Sequence, residues 1–300
     1  MPSGLAVSIL SAARFNCMNY SFESLMFLGL SMVLFSGCAG TKPALRDIAY
    51  VPGGHARQSG DLYLPEEISA PVPVVVLIHG GGWTRRDRSD MTSIARRLTG
   101  AGFAVYNIEY RLAPEHRHPA QIEDVRAALA FLPALAEKAP VDASRVALFG
   151  YSAGGQLALL AAATAADDTP IRAVAAGGAP VELSHYTRSP FLHALFGGGP
   201  DEYPKAYAEA SPLRHVGAEH PPTYLYHGRP DLIVEVSQSR NYARALEEKG
   251  VEVVYRERLL FGHLLTFTLD GPTTRDAIRF FKRHLTEFPE HAGQPEDGGV

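Results

Sequence analysis

Four apolar residues run straight into a glycine-x-serine-x-glycine turn at Val146-Ala-Leu-Phe-Gly150-Tyr-Ser152-Ala-Gly154-Gly155. The apolar run predicts a buried parallel strand, and the Ala- and Leu-rich residues 156–164 predict a helix directly after it. A chain that passes so abruptly from strand to helix has little room beside Ser152, and Gly150 and Gly154 supply it. The Ser152 hydroxyl is then expected at the top of a sheet, beside a helix N-terminus, where it can attack a carbonyl. Read alone, the same residues also fit an ordinary glycine-rich loop.

Upstream, Pro73-Val-Val-Val-Leu-Ile-His79 predicts a second buried strand, and Gly80-Gly81-Gly82-Trp83 follows at once. Three glycines after a strand let the backbone bend and turn N–H groups outward. Gly81 and Gly82, with Ala153, are the candidate donors to an oxyanion. A phosphate-binding loop is the rival for any glycine run, but the Gly-x-Gly-x-x-Gly spacing and the Lys-Ser/Thr ending are both missing.

Downstream, Pro222-Thr-Tyr-Leu-Tyr-His227-Gly228 predicts another strand, with Asp231 just beyond its end. Residues 251–255 predict the last strand, and Gly262-His263 follows it in a loop. Active-site groups of open parallel sheets collect at such strand ends. Ser152, Asp231 and His263 stand in the chain order nucleophile, acid, base. Singly, Asp231 reads as a turn or cap residue, and His263 is one of twelve histidines.

With these segments in hand, the chain resembles an α/β-hydrolase of the esterase and lipase superfamily. It is similar to the hormone-sensitive-lipase-like esterases and to relatives with feruloyl, acetylxylan and other polysaccharide-ester specificities. His79-Gly-Gly-Gly-Trp83 resembles their oxyanion motif, and Tyr110-Arg-Leu-Ala-Pro-Glu115 with Pro119-Ala-x-x-x-Asp124 resembles their middle block. Gly150-Tyr-Ser-Ala-Gly-Gly155, His227-Gly-x-x-Asp231-x-x-Val234 and Gly262-His263 resemble the nucleophile, acid and base segments. The likeness covers residues 45–285. Tyr151 stands where the hormone-sensitive-lipase relatives usually carry Asp, and their long N-terminal cap is missing. Both departures point toward the compact, polysaccharide-esterase-like branch.

The apolar content of 46% in 300 residues suffices for one large core, and a domain over 45–285 needs no division. A formal charge of -4 gives no reason to expect nucleic acid as a partner. Arg85, Arg86 and Arg88 form a basic cluster interrupted by Asp87 and Asp90. It reads as solvated surface at the mouth of the site, with contact to an acidic substrate group as the alternative.

Residues 25–35 are an apolar stretch too short to span a hydrocarbon core, and they fit the apolar region of an export signal. Phe35-Ser-Gly-Cys38 resembles the bacterial lipoprotein box, which implies cleavage after residue 37, lipidation of Cys38, and membrane association in an exported, cell-envelope or periplasmic protein. The expected organisation is a signal segment 1–37, a tether 38–44, the hydrolase domain 45–285 and a loose tail 286–300. Loss of Cys17 with the signal would leave Cys38 as the sole cysteine, so no intramolecular disulfide is expected.

Residues 44–51 and 57–64 predict an opening antiparallel pair, with 61–64 as an edge strand. Strands at 73–78, 103–108, 145–149 and 171–176 then alternate with helices near 90–99 and 120–137 and at 156–164, giving a mostly parallel sheet covered on both faces. Residues 177–216 break this rhythm as a short insertion over the site. Tyr186, Phe191 and Phe196 within it, with Trp83 and Tyr151, are candidate substrate-lining residues. An insertion of this length argues against a large lid.

The chemistry implied is ester hydrolysis through a covalent acyl-enzyme, without metal or organic cofactor, on short acyl or aryl esters, including acetyl or feruloyl groups carried on carbohydrate. His79 and His227 read as structural, as does Asp124. Glu115, His116 and His118 lie on a loop able to reach the mouth. Two other readings stand beside this one: an arylformamidase-like amide hydrolase, and a non-catalytic binding protein on the same scaffold.

Overall fold

A computed structural model describes residues 42–166 and 169–286. Its elements are β1 (Leu45–Ala49), β2 (Ser59–Tyr63), β3 (Val72–Ile78), α1 (Thr92–Thr99), β4 (Ala104–Ile108), α2 (Ala120–Ala136), β5 (Val141–Tyr151), α3 (Ala153–Ala163), β6 (Ile171–Gly177), α4 (Pro190–Phe196), α5 (Pro204–Glu209), β7 (Thr223–Gly228), α6 (Val236–Glu248), β8 (Val253–Arg258), α7 (His263–Thr268) and α8 (Gly271–Leu285). The strands form one sheet in the order β1-β2-β4-β3-β5-β6-β7-β8. All neighbours are parallel except β1 with β2 and β2 with β4.

Side chains of successive strand residues point to opposite faces, and β3 shows why its sequence is apolar throughout. Val74, Val76 and Ile78 pack into the core beneath α2, α3 and α6. Val75 and Leu77 pack into the opposite core, beneath α1 and α8, with Leu98 and Phe281. A strand buried on both sides favours apolar residues at every position.

Register then decides where the loops meet. Ile78 pairs with Gly150, Tyr151 with Gly177, and Gly228 with Arg258. The C-terminal ends of β3, β5, β6, β7 and β8 therefore finish along one edge of the sheet.

The expectation of an edge strand at 61–64 is corrected. β2 lies between β1 and β4, all five of its residues are buried, and β1 takes the edge. Asp61 misleads because its polarity is satisfied inside the structure. It accepts the Asp47 N–H at 3.0 Å and faces the Arg88 guanidinium at 3.2 Å.

The insertion is built from α4, α5 and 3₁₀ turns at Leu183–His185 and Pro212–His215. The expected signal segment, Cys38, tether residues 38–41 and tail residues 287–300 lie outside the described residues. Among the described residues no helix is long and apolar enough to cross a membrane.

Candidate active site

β5 passes into α3 through Ser152, whose φ of 55° and ψ of -122° are rare for a residue with a side chain. Such a conformation costs about 1–3 kcal/mol and persists only where packing over-determines it. The packing here is backbone against backbone. A Cβ on Gly150 would lie 2.1 Å from the Gly154 carbonyl oxygen, and one on Gly154 would lie 2.2 Å from that of Ile78. The two glycines let the turn close and let α3 start hard against the end of β3.

His263, the first residue of α7, lies with Nε2 3.0 Å from Ser152 Oγ. Its Nδ1 lies 2.6 Å from Asp231 Oδ2, which assigns the proton to Nδ1 and leaves the Nε2 lone pair facing the hydroxyl. Asp231 is fixed in turn by the N–H groups of Ile233 and Val234, each donating to Oδ1 at 2.9 Å. Burial acts to raise its pKa. Hydrogen bonds from His227 and His263, the nearby His263 ring and the Val234 N–H outweigh that and hold it well below the usual carboxylate range.

Gly81 and Gly82 curl over this group with φ of 106° and 60°. Among the described residues no protein acceptor engages the N–H of Gly81, Gly82 or Ala153. Ala153 is the first residue of α3, so no intrahelical carbonyl precedes it. The Ser152 N–H, by contrast, is spent on the Gly177 carbonyl at 2.7 Å. Unengaged donors beside a serine hydroxyl can meet an oxygen that gains negative charge.

A cavity of about 160 Å³ opens over Ser152, lined by the glycine loop, Trp83, Tyr151, Tyr186, Phe191, Leu192 and residues of the acid and base loops. Trp83 also packs beneath the loop, its indole N–H donating to Gln156 Oε1 at 2.9 Å, while Gln156 Nε2 donates to the Ala210 carbonyl at 2.7 Å. Tyr151 is only 3% exposed and donates its hydroxyl to the His263 carbonyl at 2.6 Å, so it holds the base loop.

Phe196, expected at the substrate, does not line the cavity. Its ring packs 4.1 Å from Tyr207 and 5.4 Å from His118, centroid to centroid, in the core beneath the insertion. Its helical neighbour Phe191 faces the cavity instead.

Glu115, His116 and His118 also fall outside the lining. Asp124 is buried and braces their loop, accepting the Arg111 N–H at 2.8 Å and Gln58 Nε2 at 2.7 Å. His79 bonds the Gly80 carbonyl at 2.7 Å and stacks on Tyr110. His227 does more than brace: its Nε2 lies 3.2 Å from Asp231 Oδ2. Sequence reading missed that contact, together with Pro180, Ser189, Ile233, Val234, Leu264 and Phe267 in the lining. The Asp231-x-x-Val234 spacing was the available signal for the acid loop.

A parallel sheet with a nucleophile elbow, a Ser-His-Asp hydrogen-bonded chain and free N–H donors at the strand ends defines an α/β-hydrolase fold. Residues 60–246 match BD-FAE, and the chain belongs to that family. Among curated proteins it is 32% identical over 236 residues to esterase LipC of Mycobacterium tuberculosis, covering 70% of this chain and 58% of that one. It is 30% identical over 269 residues to the probable carboxylic ester hydrolase LipM of the same organism, covering 82% and 62%. The chain thus spans about six-tenths of the length of these relatives. Among solved structures, a truncated carbohydrate esterase from gut microbiota superposes with a TM-score of 0.75 at 26% identity, covering 83% of this chain and 98% of that one. A bacterial heroin esterase gives 0.66 at 28% identity, covering 76% and 80%.

Proposed function

We propose that this chain is a serine carboxylic-ester hydrolase acting on short acyl or aryl esters through a covalent acyl-enzyme. The reading rests on the hydrogen-bonded chain from Ser152 through His263 to Asp231, at 3.0 Å and 2.6 Å, set beside unengaged N–H groups. His263 Nε2 takes the Ser152 proton as Oγ attacks the ester carbonyl, and Asp231 holds the ring in the tautomer that can do so. The oxyanion is received by the N–H groups of Gly81, Gly82 and Ala153. His263 then protonates the leaving alcohol, and water attacks the acyl-enzyme by the same route. The names of the esterase relatives and the likeness to a carbohydrate esterase support this reading and extend it to acyl groups carried on carbohydrate.

The test is a panel of acetyl, butyryl and octanoyl aryl esters, acetylated xylan, a feruloyl ester and a formyl aromatic amide, with Ser152→Ala alongside. Ser152-dependent turnover of short esters is expected. Turnover confined to the formyl amide would overturn the reading. Export and anchoring through acylated Cys38 belong to the same proposal, on the strength of the apolar run at 25–35 and the Ser-Gly-Cys that follows it. Labelled fatty acid should enter the full chain and not its Cys38→Ser variant.

A further inference from the structure

Three arginines follow the glycine loop, and they end in different situations. Arg88 is turned inward, paired with Asp47 and Asp61 and close to Glu109. Arg86 is paired with Asp90 at 3.2 Å. Arg85 has no carboxylate partner among the described residues. Its guanidinium lies over the Phe191 ring, 4.9 Å from the centroid, and the residue lines the mouth of the cavity. The charged residues of the lining are Arg85, Arg86 and Asp90, and the last two neutralise each other.

The backbone that carries Arg85 is held in place by packing. A Cβ on Gly81 would strike the Arg85 carbonyl oxygen at 2.1 Å, and one on Gly82 would strike the Phe191 ring at 2.9 Å. The Arg85 backbone and the Phe191 ring beneath its guanidinium are therefore packed directly on the two candidate oxyanion glycines. Trp83 and Arg86 on either side hold φ of 61° and 74°, so the loop is wound tightly and its geometry is set. A guanidinium that lies over an aromatic ring still has N–H groups to offer an anion.

The geometry points to Arg85 as a carboxylate-binding subsite of the cavity over Ser152: the substrate ester carries an anionic carboxylate. This rests on the ester-hydrolase reading and narrows its substrate class. The carboxylate has two sources, a half-ester of a dicarboxylic acid on the acyl side, or an acidic alcohol such as a uronate or hydroxybenzoate.

Two matched pairs of esters separate them. An aryl glutarate half-ester is compared with its glutaramide analogue, and 4-acetoxybenzoate with 4-acetoxybenzamide. In at least one pair the anionic member should show about tenfold higher kcat/KM at low salt, the size expected of a charge-assisted hydrogen bond at a partly open site. That advantage should shrink as salt rises, disappear in Arg85→Gln and survive in part in Arg85→Lys. The pair that responds identifies the source. Ratios near one in both pairs, or a ratio unmoved by Arg85→Gln, would overturn the subsite while leaving neutral-ester turnover intact. Absence of Ser152-dependent turnover of the neutral members would overturn the hydrolase reading itself, and this inference with it.

Discussion

His227 Nε2 lies 3.2 Å from Asp231 Oδ2, the same oxygen that His263 Nδ1 approaches at 2.6 Å. The acid is thus held between two imidazoles. His227 is itself pinned, with Nε2 2.8 Å from the Val234 carbonyl and Nδ1 2.7 Å from Ser239 Oγ. The carbonyl requires the proton on Nε2, so the hydroxyl of Ser239 donates to Nδ1.

His227→Phe keeps an aromatic ring, of somewhat larger volume, and removes the contacts to Val234 and Ser239. The Val234 carbonyl and the Ser239 hydroxyl are left buried and unpaired, at about 1–3 kcal/mol each. Asp231 also loses a donor. Thermal unfolding should show a clear loss of stability, and kcat should fall about tenfold with KM little changed, because substrate does not touch His227. An unchanged kcat in the folded variant would remove His227 from the positioning of Asp231.

Gly81→Ala addresses the proposed oxyanion loop. The added Cβ would meet backbone, the Arg85 carbonyl at 2.1 Å, at a φ of 106°. The loop must shift, and its N–H groups shift with it. Loss of such a donor costs about a hundredfold or more in kcat. Gly53→Ala is the control, since its φ is 67° but nothing lies within 4 Å of a new Cβ. It should cost about 1–2 kcal/mol of stability and no activity. Equal kinetic effects from both variants would show that backbone strain alone, not the oxyanion geometry, limits the loop.

How far the sequence speaks follows from the range of the interactions involved. Gly150, Gly154 and the glycine loop are legible because a sharp turn makes a local demand that few residues meet. Asp231 and His263 are legible because each follows a recognisable strand, and parallel register carries strand ends to one edge. The His227–Asp231 contact depends on how the loop after β7 folds back, which residue spacing does not encode. The place of β2 was obscured because Asp61 is satisfied by Arg88 and Asp47, so a buried position carries a surface residue. The loop after Gly82 reads as a run of charge, yet its three arginines separate only once their partners are known.

Phe191 and Phe196 share one short helix and should behave oppositely. Phe196 is 5% exposed among Tyr207, His118 and the core, so Phe196→Ala should cost about 3–5 kcal/mol of stability while kcat/KM of the folded fraction is nearly kept. Phe191 lines the cavity and supports Arg85 and Gly82. Phe191→Ala should change KM several-fold at a smaller cost in stability. Thermal melts and initial rates on one short ester separate the two, and a reversed pattern would contradict the packing of α4.

Two buried histidines predict how stability depends on pH. Burial lowers His79 from 6.5 to about 4, against the opposing hydrogen bond to the Gly80 carbonyl. His220 is lowered to about 4 by burial as well, against its bond to the Pro221 carbonyl. In the unfolded chain both titrate near 6.5. Between pH 6.5 and 4 the unfolded chain binds protons that the folded chain refuses, so stability falls as pH falls through that window. Each histidine accounts for about 3 kcal/mol at the lower end. Asp231, held below its ordinary value of 3.8, adds a further loss only beneath that pH. Tm should therefore be nearly level above pH 7 and drop steeply between pH 6.5 and 4, as circular dichroism melts at constant ionic strength would record. His220→Gln should flatten the slope in part, because one refused proton is gone while His79 and His118, both lowered by burial, remain. Loss of the 2.9 Å contact to the Tyr242 hydroxyl nevertheless lowers Tm at neutral pH. A wild-type Tm that stays level down to pH 4 would mean that both rings accept protons in the folded state, and that the burial of His79 beneath the glycine loop is not maintained in acid.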